Sequence, residues 1–338
     1  MNTLRRRTRR LFAFRKGILA LDTAPAALVS RFRSASLSLT PRTTDEYLTM
    51  LLGTPDLSSA TSAAVLDPQA FEAPRMRGRR MPEALRDAGI LPGVRADTGV
   101  EPMSSDKREL VTSGLDGLAT RLRRLRSAGA TFAVWSTVAG TGADRGALRQ
   151  LTANSQAAAR FAYVCQDMGL VPLVRVGTRL GMDPGPPRDA TLAAALLSIS
   201  GHLEDLDVDL SAVVICVEAG PGTGRDPLVA SPLAALPTRL GGVALAGGRQ
   251  SATETVDAVA TVCASAPPWP VTFYLGRHVT QPALHAWRGR EASVRAAQRV
   301  LHAGLAAASA ALCGQSNPDV PSGHELPGIA RLGTATIR

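Results

Sequence analysis

Short apolar, β-branched runs alternate with longer amphipathic stretches along most of the chain, and that alternation restricts the fold more than any other feature. The runs fall at 17–21, 63–66, 92–96, 131–135, 171–176, 212–217, 242–245 and 271–275. Between them lie helical patterns at 115–128, 156–168, 190–206 and 251–263. In the first of these, Leu115, Leu118, Leu122 and Leu125 recur at three- and four-residue spacing with arginines on the other face. Strand and helix in strict alternation point to parallel βα units, and eight such units are the count for a closed (β/α)8 TIM barrel. The barrel is expected to fill residues 1–315 as one domain. The Gly/Pro-rich stretches 181–187 and 219–224 read as loops, and 316–338, rich in Gly, Pro and Ser, reads as a flexible tail.

Composition bounds the partners. Of the 338 residues, 45% are hydrophobic but only 4% aromatic, which predicts a large core built from Ala, Leu and Val. A net charge of +10 favours anionic partners. No basic run is interleaved with aromatics and no zinc or RNA-binding signature occurs, so nucleic acid is not expected. No window approaches the ~20 apolar residues of a membrane span. The basic start, Arg5-Arg6-Arg7-Thr8-Arg9-Arg10, looks like the front of an export signal. The apolar stretch after it is short and stops at Asp22, so a cytoplasmic location is expected. Cys165, Cys216, Cys263 and Cys313 are widely spaced in apolar surroundings, as suits reduced cysteines. His, Asp and Glu residues show no ligand spacing, and neither a metal nor a cofactor is implied.

In a barrel of this type the chemistry sits at the C-terminal ends of the strands. Those ends carry Asp22, Asp67, Arg95 with Asp97, Ser136, Arg175, Cys216 with Glu218, Ala246-Gly247-Gly248, and Gly276-Arg277. Three arginines there predict a mouth that accepts an anion, most plainly a phosphate. The Gly247-Gly248 turn before a helix adds a candidate backbone phosphate site.

Read in order, several segments resemble the class I fructose-bisphosphate aldolases. They are Lys16-Gly17-Ile18-Leu19-Ala20-Leu21-Asp22, then the stretch from Gly89 to Val100, Gly114-Leu115-Asp116-Gly117-Leu118, and Gly129 to Trp135. Cys165 to Pro172, Gly247 to Ser251, Gly276-Arg277 and Ala283-Leu284-His285-Ala286-Trp287 follow in the same order. The resemblance spans roughly 10–315. It implies a single (β/α)8 barrel, a ketose bisphosphate or related phosphorylated sugar as substrate, and an assembly of identical subunits. It implies that Asp22 is the first-strand aspartate acting at the reacting centre. It likewise implies that Gly276 and Arg277 hold one phosphate and that Arg31, in Ser30-Arg31-Phe32, helps hold the other. Arg95 stands where the family has a third-strand lysine.

The departures gather at the centre. Family members form a Schiff base on a sixth-strand lysine, and the resemblance puts Cys216 at that position. Val134 and Ser136 stand in place of a fourth-strand lysine and an arginine. Arg175 and Gly177 stand in place of two fifth-strand glutamates, and Ala246 in place of a phosphate-contacting serine. Arg249 interrupts the glycine-rich segment. The whole chain holds only two lysines, Lys16 and Lys107; the other 36 of its 38 basic residues are arginine. Lys16 precedes the first strand and Lys107 lies in a polar loop, so neither is expected to be an imine-forming amine of lowered pKa.

Strand alternation puts Cys216 and Glu218 on one face, with Val134, Arg175 and Cys216 as neighbours on adjoining strands. A cationic Arg175 would favour a Cys216 thiolate nucleophile; the plainer expectation is a small packing residue. An Asp22–Arg175 ion pair is expected across the mouth, with Asp22 otherwise a general base. Two functions fit: an enzyme with altered carbon chemistry on a phosphorylated or otherwise anionic carbonyl compound, or a catalytically silent relative that binds a phosphometabolite or a protein partner.

Overall fold

A computed structural model describes residues 3–72, 74–75, 79–103, 105, 109–140, 145–178, 186–218, 232–248 and 251–312. Its centre is a closed barrel of eight parallel strands: β1 Gly17–Leu21, β2 Thr61–Leu66, β3 Leu91–Arg95, β4 Phe132–Ala139, β5 Val171–Thr178, β6 Val214–Glu218, β7 Gly242–Ala246 and β8 Val271–Leu275. Each strand pairs with the next in sequence, and β8 closes on β1 through Ile18 opposite Tyr274. The expected 17–21 and 271–275 match β1 and β8 residue for residue. The (β/α)8 fold class is therefore as expected. Helices follow the strands, except that after β6 the described residues contain only a short 3-10 turn, Pro232–Ala235. The stretch 219–224, the greater part of 181–187 and the tail 316–338 lie outside the described residues.

Two apolar cores result, because each strand alternates its side chains between the two faces of a closed sheet. The outer core lies between barrel and helices: Trp135 of β4 stacks on Phe161 at 5.4 Å, and Leu118, Leu122 and Leu125 of helix Leu118–Ser127 are buried against it. The inner core fills the barrel with Ile18, Ala63, Leu91, Phe132, Val171 and Val214. Space there is tight: a β-carbon on Gly93 would sit 2.1 Å from the Phe132 ring, so glycine makes room for that side chain. Helix Thr3–Leu11 closes the lower end, where Leu4 and Leu11 join the inner core and Arg7 donates to the Gly169 carbonyl just before β5. The interior thus runs from apolar at the N-terminal ends of the strands to polar at their C-terminal ends.

Candidate active site

Positions on or just after β1, β5, β6 and β8 bring Asp22, Arg175, Cys216, Glu218 and Tyr274 to the upper layers of the barrel. Asp22 follows β1 and is 7% exposed. Its Oδ2 accepts a hydrogen bond of 3.1 Å from the Tyr274 hydroxyl. Arg175 of β5 lies over the face of that same ring, 5.9 Å from its centroid. The expected Asp22–Arg175 ion pair does not form; each of the two instead meets Tyr274, Asp22 at its hydroxyl and Arg175 over its ring face. Burial drives the Tyr274 phenol well above its ordinary pKa, and the Asp22 carboxylate adds to this, so the ring keeps its proton. Desolvation works against the Arg175 cation, and the nearby Asp22 and Asp97 carboxylates oppose it, so the guanidinium stays charged.

Cys216 pairs with Arg175 on one side and Ala244 on the other, fully buried. Burial pushes its thiol up in pKa, and the nearby Arg175 only partly opposes that. Arg175 is level with Ser136 of β4, whereas Val134 pairs with Leu173 one layer lower. The expected adjacency of Val134 and Arg175 is therefore displaced by two residues, because tilted strands offset the register from one strand to the next.

Glu218 ends β6, as expected on the same face as Cys216. It lies against two glycines: a β-carbon would come 2.9 Å from its Oε1 at Gly177 and 3.2 Å from its carboxyl at Gly248. Arg188, from helix Pro186–Asp205, donates to the Glu218 carbonyl at 3.1 Å and reaches its carboxylate at 3.5 Å. Asp97 accepts a 3.0 Å hydrogen bond from the Ser136 amide. Burial raises the Asp97 pKa, opposed by that hydrogen bond and by Arg95 and Arg175. Arg95 is ion-paired with Asp67 at the end of β2.

The rim differs. Among the described residues Arg31, on helix Pro25–Ser34, is held by neutral acceptors: Gln281 at 2.8 Å, Thr23 at 3.0 Å, Tyr47 at 3.4 Å and Thr280 at 2.5 Å. Burial lowers its pKa, and repulsion from Arg277 adds to that effect. Arg277 is exposed at the start of helix Arg277–Trp287, directly after Gly276. Among the described residues no carboxylate forms an ion pair with either arginine. Gly247 packs against His278, where a β-carbon would come within 2.3 Å of the ring. The helix that follows, Ala252–Ala264, is already capped: Ser251 accepts from the Glu254 amide, and Glu254 accepts from the Ser251 amide at 2.7 Å.

Lys16 lies before β1, at the lower end, where its carbonyl accepts from Thr272. Lys107 and Arg249 lie outside the described residues. Among the described residues no three His, Cys, Asp or Glu side chains gather as metal ligands, and no helix is long and apolar enough to cross a membrane.

Sequence reasoning missed Tyr274 and Arg188. Tyr274 reads as one more apolar residue of Val-Thr-Phe-Tyr-Leu, although alternation from the outward Phe273 and Leu275 marks it as inward. Arg188 meets Glu218 across thirty residues of chain, and no local pattern announces such a contact.

Four likenesses bear on this arrangement. The family model "Fructose-bisphosphate aldolase class-I" matches residues 3–178 and 229–326. A "Probable fructose-bisphosphate aldolase class 1" of Xylella fastidiosa is 33% identical over 287 residues, covering 80% of this chain and 85% of that protein. "Fructose-bisphosphate aldolase 3, chloroplastic" of Arabidopsis thaliana is 30% identical over 300 residues, covering 85% of this chain and 76% of its own. Among solved structures, fructose-bisphosphate aldolase from Plasmodium falciparum superposes with a TM-score of 0.83 at 27% identity, covering 92% of this chain and 94% of that one. This chain belongs to the class I fructose-bisphosphate aldolase family.

Proposed function

We propose that the protein binds a phosphorylated or related anionic carbonyl compound in the barrel mouth and acts on it by proton transfer, without a lysine Schiff base. The observation that carries this reading is the Asp22–Tyr274–Arg175 arrangement: a carboxylate, a protonated phenol and a fixed cation on one inward face. Asp22 takes the proton from the carbon beside the substrate carbonyl. The freed electron pair moves into the carbonyl, and the oxygen becomes an enolate oxygen facing the Arg175 guanidinium. Tyr274, which keeps its proton, holds the Asp22 carboxylate in place before the transfer. Arg31 and Arg277, with the Gly247-Gly248 turn, supply the anion site. Arg95 is neutralised by Asp67 and shapes the wall. An imine has no amine to form on here: Lys16 is at the opposite end, and Lys107 adjoins Asp106 and Arg108 in a polar segment. Cytoplasmic work as a homo-oligomer fits the family.

A second reading, a silent relative that only binds a phosphometabolite or a protein partner, is favoured by one set of residues. Cys216 is buried with a thiol raised in pKa, Val134 and Ala246 are apolar, and Glu218 is tied to Arg188. Hydrogen–deuterium exchange separates the two. With dihydroxyacetone phosphate in D2O, proton NMR is expected to show exchange beside the carbonyl, slowed about 100-fold or more in Asp22→Asn. Binding of the ligand with no exchange by the wild type would replace the enzyme reading with the silent one.

A further inference from the structure

Cations and one exposed aromatic ring gather at the lower end of the barrel, opposite the mouth. Helix Thr3–Leu11 turns Leu4, Thr8 and Leu11 inward, so its period leaves Arg6 and Arg10 on the solvent side, both exposed. Arg7 and Arg126 converge on Gly169. Arg7 donates to its carbonyl at 2.5 Å, and a β-carbon on that glycine would meet the Arg126 guanidinium at 2.9 Å. Burial lowers the Arg7 pKa, and repulsion from Arg126, Arg6 and Arg10 adds to that effect. Among the described residues no carboxylate forms an ion pair with any of these four, and Asp209 is taken by Arg5 at 3.0 Å. The turn after the helix carries Phe14, which is 81% exposed. Its backbone is pinned: the Lys16 amide donates to the Ala13 carbonyl at 3.0 Å, and the Ser309 hydroxyl donates to the Arg15 carbonyl. Arg15 is held at φ 57°, where a side chain of its kind is strained. Crowded like charges, a ring kept in water and a strained arginine each cost stability in the isolated chain, and all three share one end of the molecule.

We infer that this lower end seats the protein on an anionic lipid surface, with Arg6, Arg10 and Arg126 against headgroup phosphates and Phe14 in the apolar layer beneath. Each cation near such a surface adds to the attraction, which fades within a Debye length. An apolar ring flanked by cations suits the boundary between headgroups and acyl chains. A single-stranded nucleic acid would also answer the charge, but its platforms stack successive bases on several aromatics. Here one ring stands among the cations. The mouth opens at the other end, so the seated protein keeps it free for its ligand.

Co-sedimentation of the full chain with vesicles tests this, using phosphatidylcholine alone and an equimolar mixture with phosphatidylglycerol. The wild type is expected to bind the mixed vesicles about tenfold or more tightly, with the advantage shrinking as salt rises. Arg6→Glu combined with Arg10→Glu is expected to cut that binding about tenfold or more, and Phe14→Ser about threefold. Melting curves check that each variant is folded. Arg33→Glu combined with Arg160→Glu makes the same change of charge at exposed positions elsewhere, and should leave binding within about twofold. An equal loss in the two double variants would reduce the attraction to net charge and overturn the inference. Equal binding of the wild type to both kinds of vesicle would overturn it too, as would binding to an oligouridylate with none to the mixed vesicles.

Discussion

Arg175 at the centre of the mouth and Arg31 at its rim are both half-buried arginines, yet their surroundings are opposite. Arg175 has the Asp22 and Asp97 carboxylates and the face of Tyr274 close by, so its charge is answered from within the protein. Arg31 has a threonine pair, a glutamine and a tyrosine as hydrogen-bond partners, and Arg277 adds repulsion rather than a counter-charge. A half-buried cation without a counter-charge is a standing site for an anion; one already balanced is better suited to act on charge that develops during a reaction. On the proposed function, centre and rim divide chemistry from binding, and variants in one region should leave the other intact.

The largest effect is expected for Arg175→Met. Exchange on dihydroxyacetone phosphate should fall about 100-fold, the scale of losing one stabiliser of a developing oxyanion. Inorganic phosphate affinity, read by calorimetry, should change by less than about threefold, since separated sites behave additively. Collapse of phosphate binding in that variant would erase the distinction between centre and rim.

Cys216→Ala sharpens the centre at smaller cost. A packing thiol predicts a loss of about 1 kcal/mol in chemical denaturation, with exchange retained. Exchange abolished in Cys216→Ala but kept in Cys216→Ser would make the thiol position a working group.

The smallest effect concerns Asp97. Burial raises its folded-state pKa above the unfolded value. The stability it contributes is therefore present in full below the unfolded pKa and is lost as pH rises through the folded one. Asp97→Asn removes that loss, so its melting temperature should gain on the wild type at neutral pH and the gap should narrow toward pH 4. A gap that widens on acidification would reverse the assignment.

Much of the barrel was legible because parallel strands covered on both faces read as short apolar runs. The errors fall where function intrudes. β4 and β5 run on to Ala139 and Thr178, past the expected ends at 135 and 176, because Ser136, Thr137, Gly177 and Thr178 interrupt the apolar signal as the strands enter the mouth. Ala212, read as strand, belongs to the 3-10 turn Leu210–Ala212 that leads into β6. Alternation placed Cys216 and Glu218 on one face, but it carries no register between strands, so Arg175 was matched with Val134 instead of Ser136. The rim was visible only residue by residue. That Arg31 has no acid partner among the described residues follows from Gln281, Thr280 and Tyr47, which reach it from distant parts of the chain.

Borohydride trapping addresses the central claim most directly. The protein is incubated with fructose 1,6-bisphosphate or dihydroxyacetone phosphate, reduced, digested and mapped by peptide mass. Because the chain has only Lys16 and Lys107, and Lys16 lies at the lower end of the barrel, no reduced adduct is expected while exchange proceeds. A stable adduct on either lysine, formed at the rate of turnover, would contradict the account and return the protein to imine chemistry.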